Sequence, residues 1–510
     1  MVSGGVAPDP SKAEGATAFL ARIGRCGGAL WALIGFGILL RTAQYVADPS
    51  LWLDEAMLAL NLVGRTAAGL RGPLAYEQAA PYLFLILERK VLDILGTGEM
   101  ALRLLPFLAS CASLPLGLVV SRRMLPPAGV AVAVALLAVS DPLIDYAAQV
   151  KPYAVDAAVA LLILAATLKI RAGEGRRVWT LLLGALGLFS PWLSFPSPFV
   201  FGPALAILLA ARRPGTRAGV LGAGGLWAGS LIGLALYTAG WESAGALRGV
   251  WSATGGFPPA PPRSVEDLLW YPKAAVDVLR MPGGITIPGV GVVLSLWGAV
   301  AMAARREWAS WTLAAGPLLL ALAASALHLY PFSGRLLLFA APGLTVLVAR
   351  GLLEASRTGG RRLATALLLV ALLLTIGVEA GRAAYHVARP RVREEVRDLV
   401  GILEDAGLAD DIVYVYYGAG PTFDYYAPDP DFCVLYGIKA RGEPELYLEE
   451  LDALAGERRV WILLSHVYDW RRLDEGAWIL DHLDARFARL ETHEAAGGGL
   501  YLYDLGIRDR

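Results

Sequence analysis

Runs of roughly twenty apolar residues recur along the first three quarters of this chain, and a segment of that length and composition spans a bilayer. In hydrocarbon only helices and closed barrels satisfy their own backbone groups. The runs here are long and unbroken, which predicts helices. They place spans near 28–46, 101–121, 127–144, 153–170, 178–194, 196–211, 218–239, 285–303, 309–328, 335–353 and 363–381, eleven in all. Composition agrees, since 56% of the residues are hydrophobic and only 18% charged, against about half and a quarter in average soluble domains.

Short cytoplasmic loops are enriched in Lys and Arg. One side of the predicted topology collects Arg22, Arg25, Arg122, Arg123, Lys169, Arg171, Arg176, Arg177, Arg212, Arg213, Arg217, Arg305, Arg306, Arg357, Arg361 and Arg362, and that side reads as the cytoplasm. The count requires Pro81 to Leu95 not to cross. That segment is short and carries Glu88, Arg89, Lys90 and Asp93, so it reads as an amphipathic helix at the interface. The expected organisation is a cytoplasmic tail over 1–27, a transmembrane catalytic domain over 28–384 with outer loops 47–100 and 240–284, and a soluble domain over 385–510 on the periplasmic or extracellular side. The implied location is a bacterial inner membrane with a cytoplasmic N-terminus.

The C-terminal segment changes character. Arg391 to Ala406 has helical spacing, and Ile412–Tyr417, Val460–Leu464 and Leu500–Tyr503 are β-branched or aromatic runs between Gly, Pro and Asp signals. A small α/β domain is expected.

Several function classes fall away. Forty-five basic residues balance forty-five acidic ones, whereas nucleic-acid binding needs a basic surface. The three cysteines are widely separated and the five histidines lack paired zinc-ligand spacing. No phosphate-binding Walker loop, dinucleotide fingerprint or nucleophile elbow occurs.

The strongest local feature is Leu51-Trp52-Leu53-Asp54-Glu55-Ala56, two adjacent carboxylates just beyond the first span. Acidic residues suit an ordinary helix start, yet ionisable groups held near a membrane point to function. An Asp there suits general-base work on a hydroxyl acceptor, while Glu55, next on the turn, points elsewhere. A second cluster is Asp141-Pro142 followed by Asp145, Tyr146, Gln149, Lys151, Pro152 and Tyr153. The prolines bracket a reversal. Lys151 offers a charge to a phosphate, and Asp145 or Gln149 could hydrogen-bond a sugar. Arg335 opens a later span from the outer side, where it either snorkels to headgroups or offers its fork of donors to a phosphate. The loop 240–284 carries Trp241, Trp251, Trp270, Tyr271 and Lys273, either interface-belt residues or a gate over a lipid substrate.

Together these motifs resemble the GT-C superfamily of polyprenyl-phosphate-sugar-dependent glycosyltransferases, which includes protein O-mannosyltransferases, aminoarabinose transferases and lipopolysaccharide-core transferases. The likeness covers roughly 28–353. It rests on Asp54-Glu55, on Ala80-Pro81-Tyr82-Leu83-Phe84, on Glu99 to Pro106, on Tyr146, Gln149, Lys151, Pro152 and Tyr153, and on Arg335. It implies an all-α polytopic domain with interfacial helices in the first outer loop. It also implies Asp54 as base, Lys151 and Arg335 at the donor phosphate, and Glu55, Tyr82, Asp145, Tyr146, Gln149, Tyr153 and Lys273 in support. Two positions depart from the family pattern: Ala79 stands where a basic residue is usual, and Gln149 where a Glu is usual.

The resulting expectation is an inverting transfer of a sugar from a polyprenyl-phosphate donor to a glycan, lipid or protein acceptor, with membrane lipids around it and no nucleic acid. No cofactor is required by the motifs, and a divalent metal stays open. The rival readings are a lipid or polysaccharide transporter or flippase, and an inactive envelope scaffold.

Overall fold

In the computed structural model the chain is described over residues 15–506 apart from 212–215, 242, 358–360, 407, 409, 441–442, 468 and 471–472. Arg212 and Arg213, part of the basic-loop count, lie outside the described residues. The chain divides into two compact units. A helical unit comprises Met1–Val46, Ala79–Val91 and Arg103–Arg389, and an α/β unit comprises Ala47–Gln78, Leu92–Leu102 and Pro390–Arg510. The first long loop therefore belongs largely with the C-terminal residues.

The helices run in chain order as α1 (Ala16–Arg25), α2 (Gly27–Val46), α3 (Leu53–Gly64), α4 (Tyr82–Leu95), α5 (Glu99–Met124), α6 (Pro127–Val139), α7 (Asp141–Asp145), α8 (Tyr153–Ala172), α9 (Arg176–Leu193), α10 (Ser197–Ala210) and α11 (Arg217–Thr238). They continue as α12 (Ser243–Ala253), α13 (Val265–Arg280), α14 (Pro288–Ala304), α15 (Trp308–Ala326), α16 (Ala341–Ala355), α17 (Arg361–Leu372) and α18 (Val378–Ala388), followed in the C-terminal part by α19 (Val396–Ala406), α20 (Gly420–Tyr426), α21 (Pro444–Asp452) and α22 (Glu475–Arg486).

Every apolar run is helical, but fewer helices than eleven have the length of a full span. Among the described residues seven helices are long and apolar enough to cross, or eight if the bent pair formed by α6 and Asp141–Ala148 counts as one. Helices α10 and α14 are apolar but shorter. The run 127–144 is not one straight helix: it bends by 49° at Ser140, where Pro142 denies the helix a donor. Arg41, fully buried on α2, repairs the break by donating to the carbonyls of Leu137 and Ala138 at 3.0 and 3.1 Å. Part of the expected N-terminal tail is ordered as α1. Its Gly24 lies so close to Pro127 that a β-carbon would fall 1.7 Å from the Pro127 carbonyl oxygen.

Helices α14 and α16 make a similarly close pair. A β-carbon at Gly298 would meet Leu347 O at 2.1 Å, and one at Gly351 would meet Leu294 O at 2.0 Å. Small residues that let backbones approach are the usual adhesive between helices in lipid, where no hydrophobic force drives association. One end of the unit gathers the basic loops into ion pairs. Glu174 takes Arg123 at 2.6 Å and Lys169 at 2.8 Å, while Glu354 takes Arg305 at 2.6 Å and Arg357 at 3.0 Å.

The segment expected at the interface forms a helix, α4, with one correction. Glu88, read as part of a polar face, is 0% exposed and neither carboxylate oxygen has a hydrogen-bond partner among the described residues. Burial pushes its carboxyl well above the ordinary 4.5, which favours the protonated form. A raised folded-state pKa supports stability below the unfolded value and loses it as pH climbs toward the folded one, at about 1.4 kcal/mol per pH unit. Glu88→Gln should therefore melt like the parent near pH 4 and increasingly above it toward neutrality. Parallel melting curves of the two proteins at every pH would rule this out.

The α/β unit holds a five-stranded sheet in the order β2-β1-β3-β7-β6. Strands β1 (Ile412–Val415), β2 (Cys433–Tyr436) and β3 (Val460–Ser465) are parallel, while β6 (Ala488–Ala495) and β7 (Gly498–Asp504) run antiparallel; β4 (Asp469–Trp470) and β5 (Leu473–Asp474) form a separate ribbon. Alternation along the strands loads both faces. Val413, Val415, Trp461 and Leu463 pack on one side with Leu399 and Leu403, and Tyr414, Ile462 and Leu464 on the other with Tyr447 and Leu483. The expected strands at 412, 460 and 500 are present. Strands β2 and β6 were not legible, because their side chains are largely polar or exposed at the sheet's edges.

Candidate functional site

In the α/β unit, Asp54 sits in the first turn of α3. The residue before that helix is Trp52, whose side chain makes no capping hydrogen bond. A helix start exposes backbone donors that need partners, and here the C-terminal segment supplies them. Glu394, 4% exposed, accepts the Leu53 N–H at 2.9 Å, and Tyr426 Oη accepts the Leu51 N–H at 2.7 Å. Arg397 donates to Glu99 at 2.8 Å and to the Asp48 carbonyl at 2.8 Å, and Tyr426 Oη donates to Glu99 at 3.0 Å. The Arg393 guanidinium covers the Trp52 ring at 4.4 Å. Asp54 is half-buried, while Glu55 is 2% exposed and faces the interior. The two carboxylates thus diverge, as neighbours on a helix must.

In the helical unit the reversal after α6 is built as expected. Asp145, Tyr146, Gln149, Lys151 and Tyr153 are all buried, between 3% and 9% exposed. Gln149 is extended, and a one-turn 3-10 segment over Tyr146–Ala148 precedes it. Its Oε1 is buried without a hydrogen-bond partner among the described residues, so it can accept from a donor that enters there. Arg335 lies over the Tyr153 ring at 5.7 Å, and Tyr153 meets Tyr146 edge-on at 5.3 Å. Arg335 is placed by a 3-10 stretch, Gly334–Ala340, that leads into α16. Pro342 cannot donate to the Leu338 carbonyl, so Ala341 N takes that oxygen instead and tightens the turn.

A cavity of about 390 Å³ opens beside Tyr153. Its charged and polar lining comes from Asp156, Arg248, His328 and Tyr330, and Ala79 and Pro81 also line it. Asp156 is 4% exposed and its Oδ1 has no hydrogen-bond partner among the described residues. The position where a basic residue was expected thus borders a cavity that carries the Arg248 guanidinium and the His328 imidazole. His328 holds a left-handed φ of 56°, a strained setting that tends to persist at functional sites. Burial, reinforced by the charges of Asp156 and Tyr153, raises the Tyr330 phenol, which donates to Leu336 O at 2.8 Å.

Sequence reasoning missed Asp156, Arg248 and His328. An ionisable residue in the first turn of a span could have flagged Asp156. Nothing in the spacing could have joined Arg248 and His328 to it.

Tyr82 belongs to a different aromatic cluster, 5.8 Å from Tyr237. Lys273 is exposed on α13 and borders a cavity of about 160 Å³ with Trp270, Asp277 and Phe332. The loop 240–284 forms α12 and α13, and Ser264 and Asp267 close a capping box on α13. Trp270 and Tyr271 donate to the Gly255 and Pro259 carbonyls at 3.0 Å each. Beneath them lies an almost wholly apolar cavity of about 440 Å³ between α13, α14, α15 and α16. No group of three or more potential metal ligands occurs among the described residues.

No protein-family model matches this chain, and no curated protein sequence matches it. Solved structures do. ArnT from Cupriavidus metallidurans bound to undecaprenyl phosphate aligns over 93% of this chain and 98% of its own, with a TM-score of 0.55 and 11% identity. The same protein in its apo state gives 0.53 at 13% identity over the same shares. An Archaeoglobus fulgidus oligosaccharyltransferase covers 92% of this chain and 74% of its own at 0.48 and 10% identity, too distant to carry a fold argument. The chain thus shares the fold of ArnT, and among its described residues seven or eight helical segments are long and apolar enough for a multi-pass membrane protein.

Proposed function

We propose that the protein is an inverting glycosyltransferase that moves a sugar from a polyprenyl-phosphate carrier to an envelope acceptor. The observation that carries this reading is the buried polar reversal of the helical unit, where Gln149 Oε1 and Asp156 Oδ1 lack hydrogen-bond partners among the described residues. Arg335 stands over Tyr153 at the same end of α8. Buried polar atoms are costly to leave unpaired, and two of them at one end of α8 suit the hydroxyls of a sugar. The similarity in fold to ArnT, whose structure holds undecaprenyl phosphate, supports a lipid-phosphate donor, and the apolar cavity beneath α13 suits its tail.

In the proposed reaction Asp54 takes the proton of the acceptor hydroxyl as its oxygen attacks the anomeric carbon. The bond from that carbon to the phosphate oxygen breaks, and its electron pair leaves with the polyprenyl phosphate. Lys151 and Arg335 neutralise the charge that grows on the phosphate, a stabilisation stronger in the transition state than in the ground state. Arg248 adds positive charge and His328 a ring nitrogen at the neighbouring cavity, and Gln149 and Asp156 hold sugar hydroxyls. The acting face is the periplasmic one, with the N-terminus in the cytoplasm.

The deciding experiment is mass spectrometry of envelope glycans and glycoproteins from cells with and without the protein. A glycoform short by one sugar residue in the deletion strain, restored by the wild-type gene, is the expected result. Identical glycan profiles, with altered distribution of a lipid-linked sugar between leaflets, would favour the transporter reading instead.

A further inference from the structure

Strand β3 ends at Ser465, and the chain then turns through His466, whose φ of 49° is left-handed. A histidine held there is strained, and such strain is retained where it serves a site. In open sheets with parallel strands, ligands bind outside the carboxyl ends of those strands. At this end of β3 lies a cleft of about 450 Å³, within the roughly 300–1,000 Å³ typical of small-molecule sites. Its walls include Arg393, Glu394, His466, Asp474 and Tyr501, and its floor is the backbone of Gly497, Gly498 and Gly499. A β-carbon at Gly497 would fall 2.2 Å from Arg393 O, and one at Gly499 would fall 2.4 Å from Tyr501 Oη.

We propose that this cleft seats a neutral saccharide of the acceptor, a proposal that rests on the glycosyl-transfer reading. Charge argues for a neutral ligand. Arg393 is opposed by the carboxylates of Glu394 and Asp474, and the natural anion seat at the start of α22 is already taken by Asp474, which accepts the Ala477 N–H at 3.0 Å. The cleft walls carry both donor and acceptor side chains beside the backbone of three glycines, which suits the hydroxyls of a sugar ring. The cleft is also wired to the general base. One oxygen of Glu394 lies 2.6 Å from His466 Nδ1, while the other accepts the N–H of Leu53, the residue before Asp54. Arg393, on the same wall, covers Trp52. A saccharide in the cleft is therefore held by the residues that build the first turn of α3.

The test uses the full chain in lipid nanodiscs and, as probes, neutral and acidic oligosaccharide fractions released from the host envelope, read by saturation-transfer NMR. The neutral fraction should bind the wild type. Ala477→Trp, which fills the cleft from an exposed helical position, should weaken binding at least tenfold with an unchanged melting temperature. His466→Gly, which relieves the strained φ but leaves one oxygen of buried Glu394 without its imidazole partner, should melt lower than the parent and also bind at least tenfold more weakly. Undiminished binding in both variants, preference for the acidic fraction, or no binding of the neutral fraction overturns the proposal. Failure of the transfer reading is seen separately: wild-type protein would bind the neutral fraction yet release no polyprenyl phosphate from donor. Transfer with an unchanged acceptor KM in Ala477→Trp would instead retain the enzyme and remove this cleft.

Discussion

Replacing Asp54 with Asn is expected to lower transfer turnover by roughly 10²–10⁴-fold, the usual contribution of a positioned general base. The amide keeps the size of the side chain but cannot accept the acceptor's proton. The fold should survive, because the contacts that fix the first turn of α3 run through backbone groups. Leu51 N–H and Leu53 N–H hold to Tyr426 and Glu394 whatever the side chain at 54. Donor affinity should stay near the parent value, so the loss falls on kcat rather than on the donor KM. The same substitution at Glu55 asks a different question. Glu55 is 2% exposed, and its change should lower the melting temperature more than it lowers catalysis. Full turnover in Asp54→Asn would remove Asp54 from the chemistry.

Arg335→Met is expected to cost roughly 10²–10³-fold in turnover, about 2.7–4 kcal/mol, the scale for removing one preorganised donor from a developing oxyanion. Its guanidinium carbon lies 5.7 Å from the centre of the Tyr153 ring, a cation–π distance that favours keeping the charge at this place. Arg335→Lys keeps the charge and loses both the plane and the paired donors. It should recover only part of the loss. Steady-state kinetics with a synthetic polyprenyl-phosphate sugar separates the three proteins, and equal rates for Met and Arg would place Arg335 among residues that merely anchor a helix end to headgroups.

Much of the architecture was legible from hydropathy alone. A run that is apolar for about twenty residues has nowhere else to go, and each predicted run is helical in the structure. Length was read less well. Proline and serine break 127–144 at Ser140, and the repair comes from Arg41, a residue distant in sequence that no local pattern links to the break. Charge on α4 misled for a related reason. Glu88 looked like a solvated face residue because its neighbours Arg89, Lys90 and Asp93 are polar, yet only the packing around it determines that it is 0% exposed.

The candidate site shows the same division. The sequence by itself determined that Asp54-Glu55 is an acidic pair beyond a span and that two prolines bracket the segment carrying Gln149 and Lys151. Those are statements about chemistry and local backbone geometry, which neighbouring residues settle. Only the tertiary structure decided what holds Asp54 in place, since Leu53 and Glu394 are 341 positions apart. It also decided that Asp156, Arg248 and His328 share a cavity, and that β3 delivers a strained His466 to the carboxylate that caps α3. Side-chain partners at such separations are chosen by the packing of whole elements, and no window along the chain contains that information.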